Sequence, residues 1–204
     1  MTSVFFMMNK ELPNIVFATN NLHKLEEARA LSSGIINILS LSDIDCHDDI
    51  PETADTLEGN ALIKARWVKE KYGYDCFADD TGLMVDALDG KPGVYSARFA
   101  GPQCNSADNM ALLLSELEGV AEADRTARFE TVIALVRGEE EKLFKGCVTG
   151  KISTEPHGSA GFGYDPVFVA DESGLAFAEM TAEAKNSISH RGRAMRHFIE
   201  YLTK

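Results

Sequence analysis

Two adjacent carboxylates, Asp79 and Asp80 in the stretch FADDTG, follow an apolar run that reads as a buried strand. Side chains alternate along a strand, so the pair should point to opposite faces. Ionised carboxylates are costly to bury unless something pairs with them or coordinates them. At the carboxyl end of a strand, where α/β proteins bind ligands, one aspartate can hold a metal or take a proton from water. The other can brace the sharp turn that Thr81 and Gly82 would allow. A turn-and-cap arrangement with no chemistry is the competing reading of the same residues.

Other polar clusters also interrupt apolar patterns at element ends. TNNLHK, residues 19–24, reads as a strand–turn–helix junction. Unpaired N–H groups at a helix start favour anions. Thr19, Asn20 and Asn21 can add donors, and Lys24 can reach back to a phosphate; the plainer reading is a capped helix with a solvated lysine. Glu52 lies in an acidic loop, and Asn60 and Lys64 are spaced along one edge of the following helix. With Asp79 and Asp80, Glu52 can build an all-oxygen site suited to Mg²⁺, unless the loop is simply solvated. In GFGYD, residues 161–165, Phe162 can lie on a purine ring while Asp165 accepts hydrogen bonds from base N–H groups. Alternatively, Phe162 and Tyr164 plug the core beneath a loop. SHRGR supplies His190 and Arg191, suited to a substrate oxygen and to a phosphate or base carbonyl, or else a solvated helix start. There is no GxxxxGK[ST] loop, and GFGYDP departs from GxGxxG at its last position, which argues against P-loop and dinucleotide-binding proteins.

The elements that must position these residues follow from periodicity. NIVFAT predicts a strand, NLHKLEEARAL a helix capped by Asn20 or Asn21, and IINILSL a second strand. Residues 55–72 carry apolar positions three or four apart, a helical stripe. YDCFADD predicts a strand, followed by LMVDAL, a turn at LDGKPG and VYSARFAG; NSADNMALLLSELEG is a helix opened by Asn105 and closed by Gly119. Residues 127–152 predict two long antiparallel strands joined near GEEE, VFVAD a further strand, and Met195, Phe198, Ile199 and Leu202 a final helix. Early alternation of helix and strand with hairpins later predicts an α/β fold with a mixed sheet, folding as one unit.

With 45% hydrophobic and 25% charged residues, the chain has an ordinary globular composition, and a net charge of −12 argues against a nucleic-acid binder. A phosphate site must then be a local cluster of lysine and arginine aided by a divalent cation. No apolar run is long enough for a membrane span, and MTSVFFMMNK lacks a basic n-region and a cleavage site, so a cytoplasmic protein is expected. The four cysteines are widely spaced and suggest neither a zinc cage nor a disulfide framework.

In order, IVFATNNLHKLEEARAL, GNALIKAR, ADDTGLMVDALDGKPGVYSARFAG, GFGYDPVF and AEMTAEAKNSISHRGRA resemble the inosine/xanthosine triphosphate pyrophosphatase (Ham1-like) family over residues 14–200. The resemblance implies an elongated two-lobed α/β fold around a long mixed β-sheet with flanking helices and a central cleft. It also implies a homodimer, Mg²⁺ as cofactor, and a small-molecule purine nucleoside triphosphate as substrate. The expected reaction is hydrolysis of ITP, dITP or XTP to the monophosphate and pyrophosphate. By matching position, Thr19, Asn20, Asn21, Leu22, His23 and Lys24 would hold the triphosphate, and Lys64 would contact phosphate. Glu52 and Asp80 would bind metal, Asp80 would accept the proton of the attacking water, and Thr81 would touch substrate. Phe162, Gly163, Tyr164, Asp165, Lys185, His190 and Arg191 would read base and sugar. The family usually has Thr-Gly-Asn where this chain has Thr19-Asn20-Asn21; if that glycine uses positive φ, asparagine is its least costly substitute. Alternatives are a related-fold pyrophosphatase for another modified nucleotide and a non-catalytic nucleotide-binding module. A Nudix-type enzyme is disfavoured because no REXXEE helix is present.

Overall fold

The computed structural model describes residues 12–204, so the opening MTSVFFMMNK lies outside the described residues. Asn14–Phe17 (β1), Leu22–Leu31 (α1) and Asn37–Leu39 (β2) form the first parallel unit. The acidic loop leads into Leu57–Tyr72 (α2), capped by the Thr56 side chain accepting from Gly59 N. Cys76–Val85 (β3), Lys91–Gly93 (β4) and Ser106–Glu116 (α3) follow. Thr126–Arg137 (β5) and Glu140–Ile152 (β6) are the long hairpin, and Phe168–Ala170 (β7), Ala182–Ile188 (α4) and His190–Leu202 (α5) complete the chain.

The strands form one mixed sheet in the order β2-β1-β3-β5-β6-β7, with β4 also paired to β3. β2, β1 and β3 run parallel, and the other pairings are antiparallel. Period-two alternation divides the apolar residues between two faces. Val16, Ala78, Val132 and Ala134 pack with α2 residues such as Ala61, Ala65 and Val68 on one side. On the other, Phe17, Phe77, Ile133 and Leu135 meet Leu25 and Ala28 of α1 and Met195 and Phe198 of α5. A third cluster, with Leu83, Leu113, Phe129 and Phe168, fills the far end of the sheet.

The expected turn at Thr81-Gly82 is replaced by unbroken strand. β5 pairs with every residue from Cys76 to Val85, and the hydroxyls of Thr81 and Thr131 lie 2.7 Å apart across that ladder. Gly82 serves a close approach instead: a Cβ there would sit 2.8 Å from the Gly93 carbonyl oxygen. On its other edge β3 pairs with β1 only at Cys76–Phe77 and with β4 only from Leu83 onward. Between those pairings, the stretch carrying Asp79, Asp80 and Thr81 has a strand on one side only. That interruption in the sheet is where the cleft lies.

Gly146 in β6 sets the position of α5. A Cβ at that residue would come 2.1 Å from the His190 carbonyl oxygen and 2.5 Å from Ala194 N. Gly146→Ala should therefore cost about 1–3 kcal/mol by overpacking and push the first turn of α5 off the sheet. Calorimetry would read the loss of stability.

Candidate functional site

The N-terminus of α1 is built by side-chain caps. Asn21 Oδ1 accepts from Lys24 N at 3.1 Å, and Thr19 Oγ1 accepts from Asn21 N at 3.1 Å. Among the described residues, only Asp45, Asp89 and Cys104 have positive φ without being glycine, so Asn20 occupies ordinary backbone space and carries no strain. Leu22 is 70% exposed and lies outside the cleft lining. Lys24 turns inward, placing its ammonium 3.0 Å from Asp79 Oδ1.

Asp79 and Asp80 face opposite sides of β3. Asp79, only 1% exposed, lies on the α1/α5 side between Lys24 and Arg191, whose Nε donates to Oδ2 at 3.0 Å. Burial alone would raise its pKa, but the charges of Lys24, Arg191 and Lys64 reverse this and hold it well below the usual carboxylate range. Asp80, 8% exposed, lies on the α2 side, where it accepts from Asn60 Nδ2 at 3.2 Å and meets Lys64 Nζ at 3.4 Å. Burial pushes its pKa above the ordinary value, helped by Glu52 and Asp79 and opposed by Lys64 and Lys24. Adjacent carboxylates whose proton affinities are driven apart fit separate tasks.

Lys64 Nζ also donates to the Asp79 carbonyl at 2.8 Å, using the open edge of β3, and to Glu52 Oε1 at 2.7 Å. Burial works against this ammonium, yet Asp80, Glu52 and Asp79 raise its pKa overall. Glu52 and Asp80 are hard oxygen donors facing one cleft, with an ammonium between them. Among the described residues, no three or more His, Cys, Asp or Glu side chains gather into a metal cage. A pair of carboxylates nevertheless suits an octahedral cation that takes its remaining ligands from water and phosphate, so the donor set fits Mg²⁺. The cleft has a volume of about 230 Å³, and its lining includes Asn21, Lys24, Glu52, Asp80, Thr81, Arg98, Phe162, Gly163 and Tyr164.

The remaining candidates form a neighbouring network. Lys185 Nζ bonds Asp165 Oδ2 at 2.7 Å and Glu27 Oε1 at 2.9 Å, while Arg191 bonds Glu27 Oε2 at 2.6 Å and Thr81 Oγ1 at 3.2 Å. Asp165 Oδ2 also accepts from Phe162 N at 2.9 Å, so in this structure it braces its own loop as well as Lys185. The Tyr164 hydroxyl donates to the Ser96 carbonyl at 2.8 Å, tying the loop to the segment that carries Arg98. The His190 ring stacks on Phe129 at 4.5 Å, with Nδ1 buried and unpartnered. Burial, with Arg191 and Lys185 nearby, holds its pKa far below normal and keeps it neutral.

Sequence reasoning missed two members of this cluster. Glu27 lies three residues after Lys24 on α1, a same-face spacing that could have identified it. Arg98 donates to Glu52 Oε2 at 3.4 Å and belongs to a segment with no periodic signal.

The Ham1 family model matches residues 15–201. A dITP/XTP pyrophosphatase from Flavobacterium johnsoniae is 52% identical over 189 residues, covering 93% of this chain and 97% of that protein. One from Porphyromonas gingivalis is 50% identical over 191 residues, covering 94% and 98%. Among solved structures, a HAM1 protein from Coxiella burnetii aligns with a TM-score of 0.86 at 37% identity, covering 94% of this chain and 99% of that one. With matches this close along nearly its whole length, the chain belongs to the Ham1 family.

Proposed function

We propose that this chain hydrolyses noncanonical purine nucleoside triphosphates (ITP, dITP and XTP) to the monophosphate and pyrophosphate, with Mg²⁺ as its metal. The observation that carries this reading is the pair on β3: Asp79 held ionised between Lys24 and Arg191, and Asp80 raised in proton affinity beside Glu52. Relatives at about half identity bear the name dITP/XTP pyrophosphatase, which agrees with it.

In this scheme Thr19, Asn20, Asn21 and the N–H groups opening α1 bind the triphosphate, and Lys24 and Lys64 offset charge developing on the leaving pyrophosphate. Asp80 takes a proton from water as that water attacks the α-phosphorus and the bond to the bridging oxygen breaks. Asn60 and Lys64 hold the Asp80 carboxylate in place. Held by Glu52 and Asp80, Mg²⁺ would supply phosphate charge neutralisation and a lowered pKa for water. Thr81 and the cluster of Phe162, Gly163, Tyr164, Asp165, Lys185, His190 and Arg191 receive sugar and base. Selection of a 6-oxo purine needs a donor at that oxygen, and Arg191, Lys185 or a backbone N–H supplies it; adenine's amino group would set donor against donor.

Pyrophosphate release from ITP, XTP, GTP and ATP tests the proposal. ITP and XTP should yield pyrophosphate with Mg²⁺ present, lose turnover in EDTA, and recover it when Mg²⁺ is restored. Release of single phosphates would refute the reaction class. In the same assay Arg191→Ala should narrow the ITP-over-ATP ratio of kcat/KM by about 10- to 100-fold, the worth of one buried hydrogen bond to a charged group. An unchanged ratio would remove Arg191 from base selection.

We further read residues 1–204 as one cytoplasmic domain, from the composition and the lack of a linker or signal-peptide pattern, and as a homodimer, as the family resemblance implies. Consistent with this, no described helix is long and apolar enough to cross a membrane. Light scattering on the purified chain tests the dimer.

A further inference from the structure

His23 sits in the run assigned by resemblance to the triphosphate, yet its side chain is engaged elsewhere. The imidazole stacks on Phe162, with ring centroids 5.3 Å apart and planes 10° from parallel. Consecutive helix residues point about 100° apart. Lys24 turns in toward Asp79, whereas the His23 side chain is exposed and lies against Phe162. Phe162 is one of the residues assigned by resemblance to the base, and its ring centroid lies 4.9 Å from Lys185 Nζ and 5.6 Å from Arg191 Cζ. His23 is exposed on the first turn of α1, and Phe162 is half-buried at the edge of the cleft. Two parallel aromatic rings from distant parts of the chain therefore meet where the cleft opens beside the cations.

We infer that His23 is a base-stacking residue, and that the purine is held between its imidazole and the Phe162 ring. This rests on the function proposed above and moves His23 from the phosphate end of the substrate to the base end. A flat ring between two others needs their centroids about 7 Å apart, twice an ordinary carbon contact. At 5.3 Å the two centroids are too close to admit a ring, so the pair must part when the base enters, which rotation of an exposed side chain on a first helical turn allows. In the free enzyme the two rings lie near-parallel and offset against each other, and the purine takes over both contacts when it enters. Stacking requires only a π-face, so it adds affinity for any purine, while discrimination at the 6-position stays with the hydrogen-bond donors.

The test compares wild type, His23→Ala and His23→Phe by calorimetric binding of two probes with Mg²⁺: the uncleavable α,β-methylene analogue of ITP, and inorganic tripolyphosphate. Base stacking on a side chain is worth a factor of about 5 to 150 in affinity. His23→Ala should weaken the ITP analogue by at least about fivefold and leave tripolyphosphate within about twofold. His23→Phe should restore the analogue, because a flat ring is all that is required. Equal weakening of both probes would return His23 to the phosphates, and no change in either would remove it from the site; both overturn the inference. Because binding is read without turnover, a wild type that binds the analogue but releases no pyrophosphate from ITP would refute the proposed function and leave the stacking result readable.

Discussion

Asp80→Asn is expected to lower kcat for pyrophosphate release from ITP by about 100- to 10,000-fold, the usual contribution of a positioned general base. The carboxamide has nearly the same shape and can still accept from Asn60, so the fold should survive. What is lost is a group able to take a proton, together with one of the two carboxylate charges proposed to hold Mg²⁺. Asp79 cannot replace it, because Lys24 and Arg191 hold that carboxylate well below the usual range and make it a poor base. Asp80 has the opposite character: burial raises its proton affinity, and Glu52 and Asp79 add to the effect. Of the two aspartates it is also the one that borders the cleft, whereas Asp79 is enclosed. Single-turnover rates with saturating ITP and Mg²⁺ would measure the loss. A variant within threefold of wild type would exclude Asp80 as the base.

Asp79→Ala should cost about 3–5 kcal/mol of stability, because it leaves Lys24 without its carboxylate and strips one of two from Arg191 in a buried setting. For a chain of this size such a loss lowers the melting temperature by about 10 °C, measurable by calorimetry without substrate. A change under about 1 kcal/mol would show that the pair contributes little net stabilisation. The pH dependence follows from the same contacts. The pKa values of Asp79 and Glu27 are both lowered in the fold: burial alone would raise each, but the flanking cations more than reverse it. A carboxylate with a depressed folded pKa contributes stability that is fully present above its unfolded value of about 4 and is lost as pH falls through the folded value. Wild type should therefore lose stability progressively below about pH 4, and Asp79→Ala should show a shallower decline over the same range.

Much of this architecture is legible in the chain. Alternation along FADD placed the two aspartates on opposite faces, because the period of a strand is a local property of the backbone. Helical spacing in residues 55–72 put Asn60 and Lys64 on neighbouring positions of one helix, and α2 carries both to Asp80. The long hairpin and the caps at Asn21 and Asn105 were likewise local signals. The continuation of β3 through Thr81 and Gly82 was not readable, since a Thr-Gly pair suits a turn and only the ladder to β5 overrides it. Nor were the partners of Glu27 readable: local spacing sets it beside Lys24 on α1, but Lys185 and Arg191 lie 158 and 164 residues away. Periodicity assigns a residue to a face, whereas the identity of what lies against that face depends on sheet order and helix packing. Residue type and local spacing thus set which groups could carry charge and protons and on which side of each element they stand. The tertiary structure alone decided how those charges pair, and the pairing gives two adjacent aspartates opposite proton affinities, because Coulomb interaction and desolvation depend on distance through space rather than on separation along the chain.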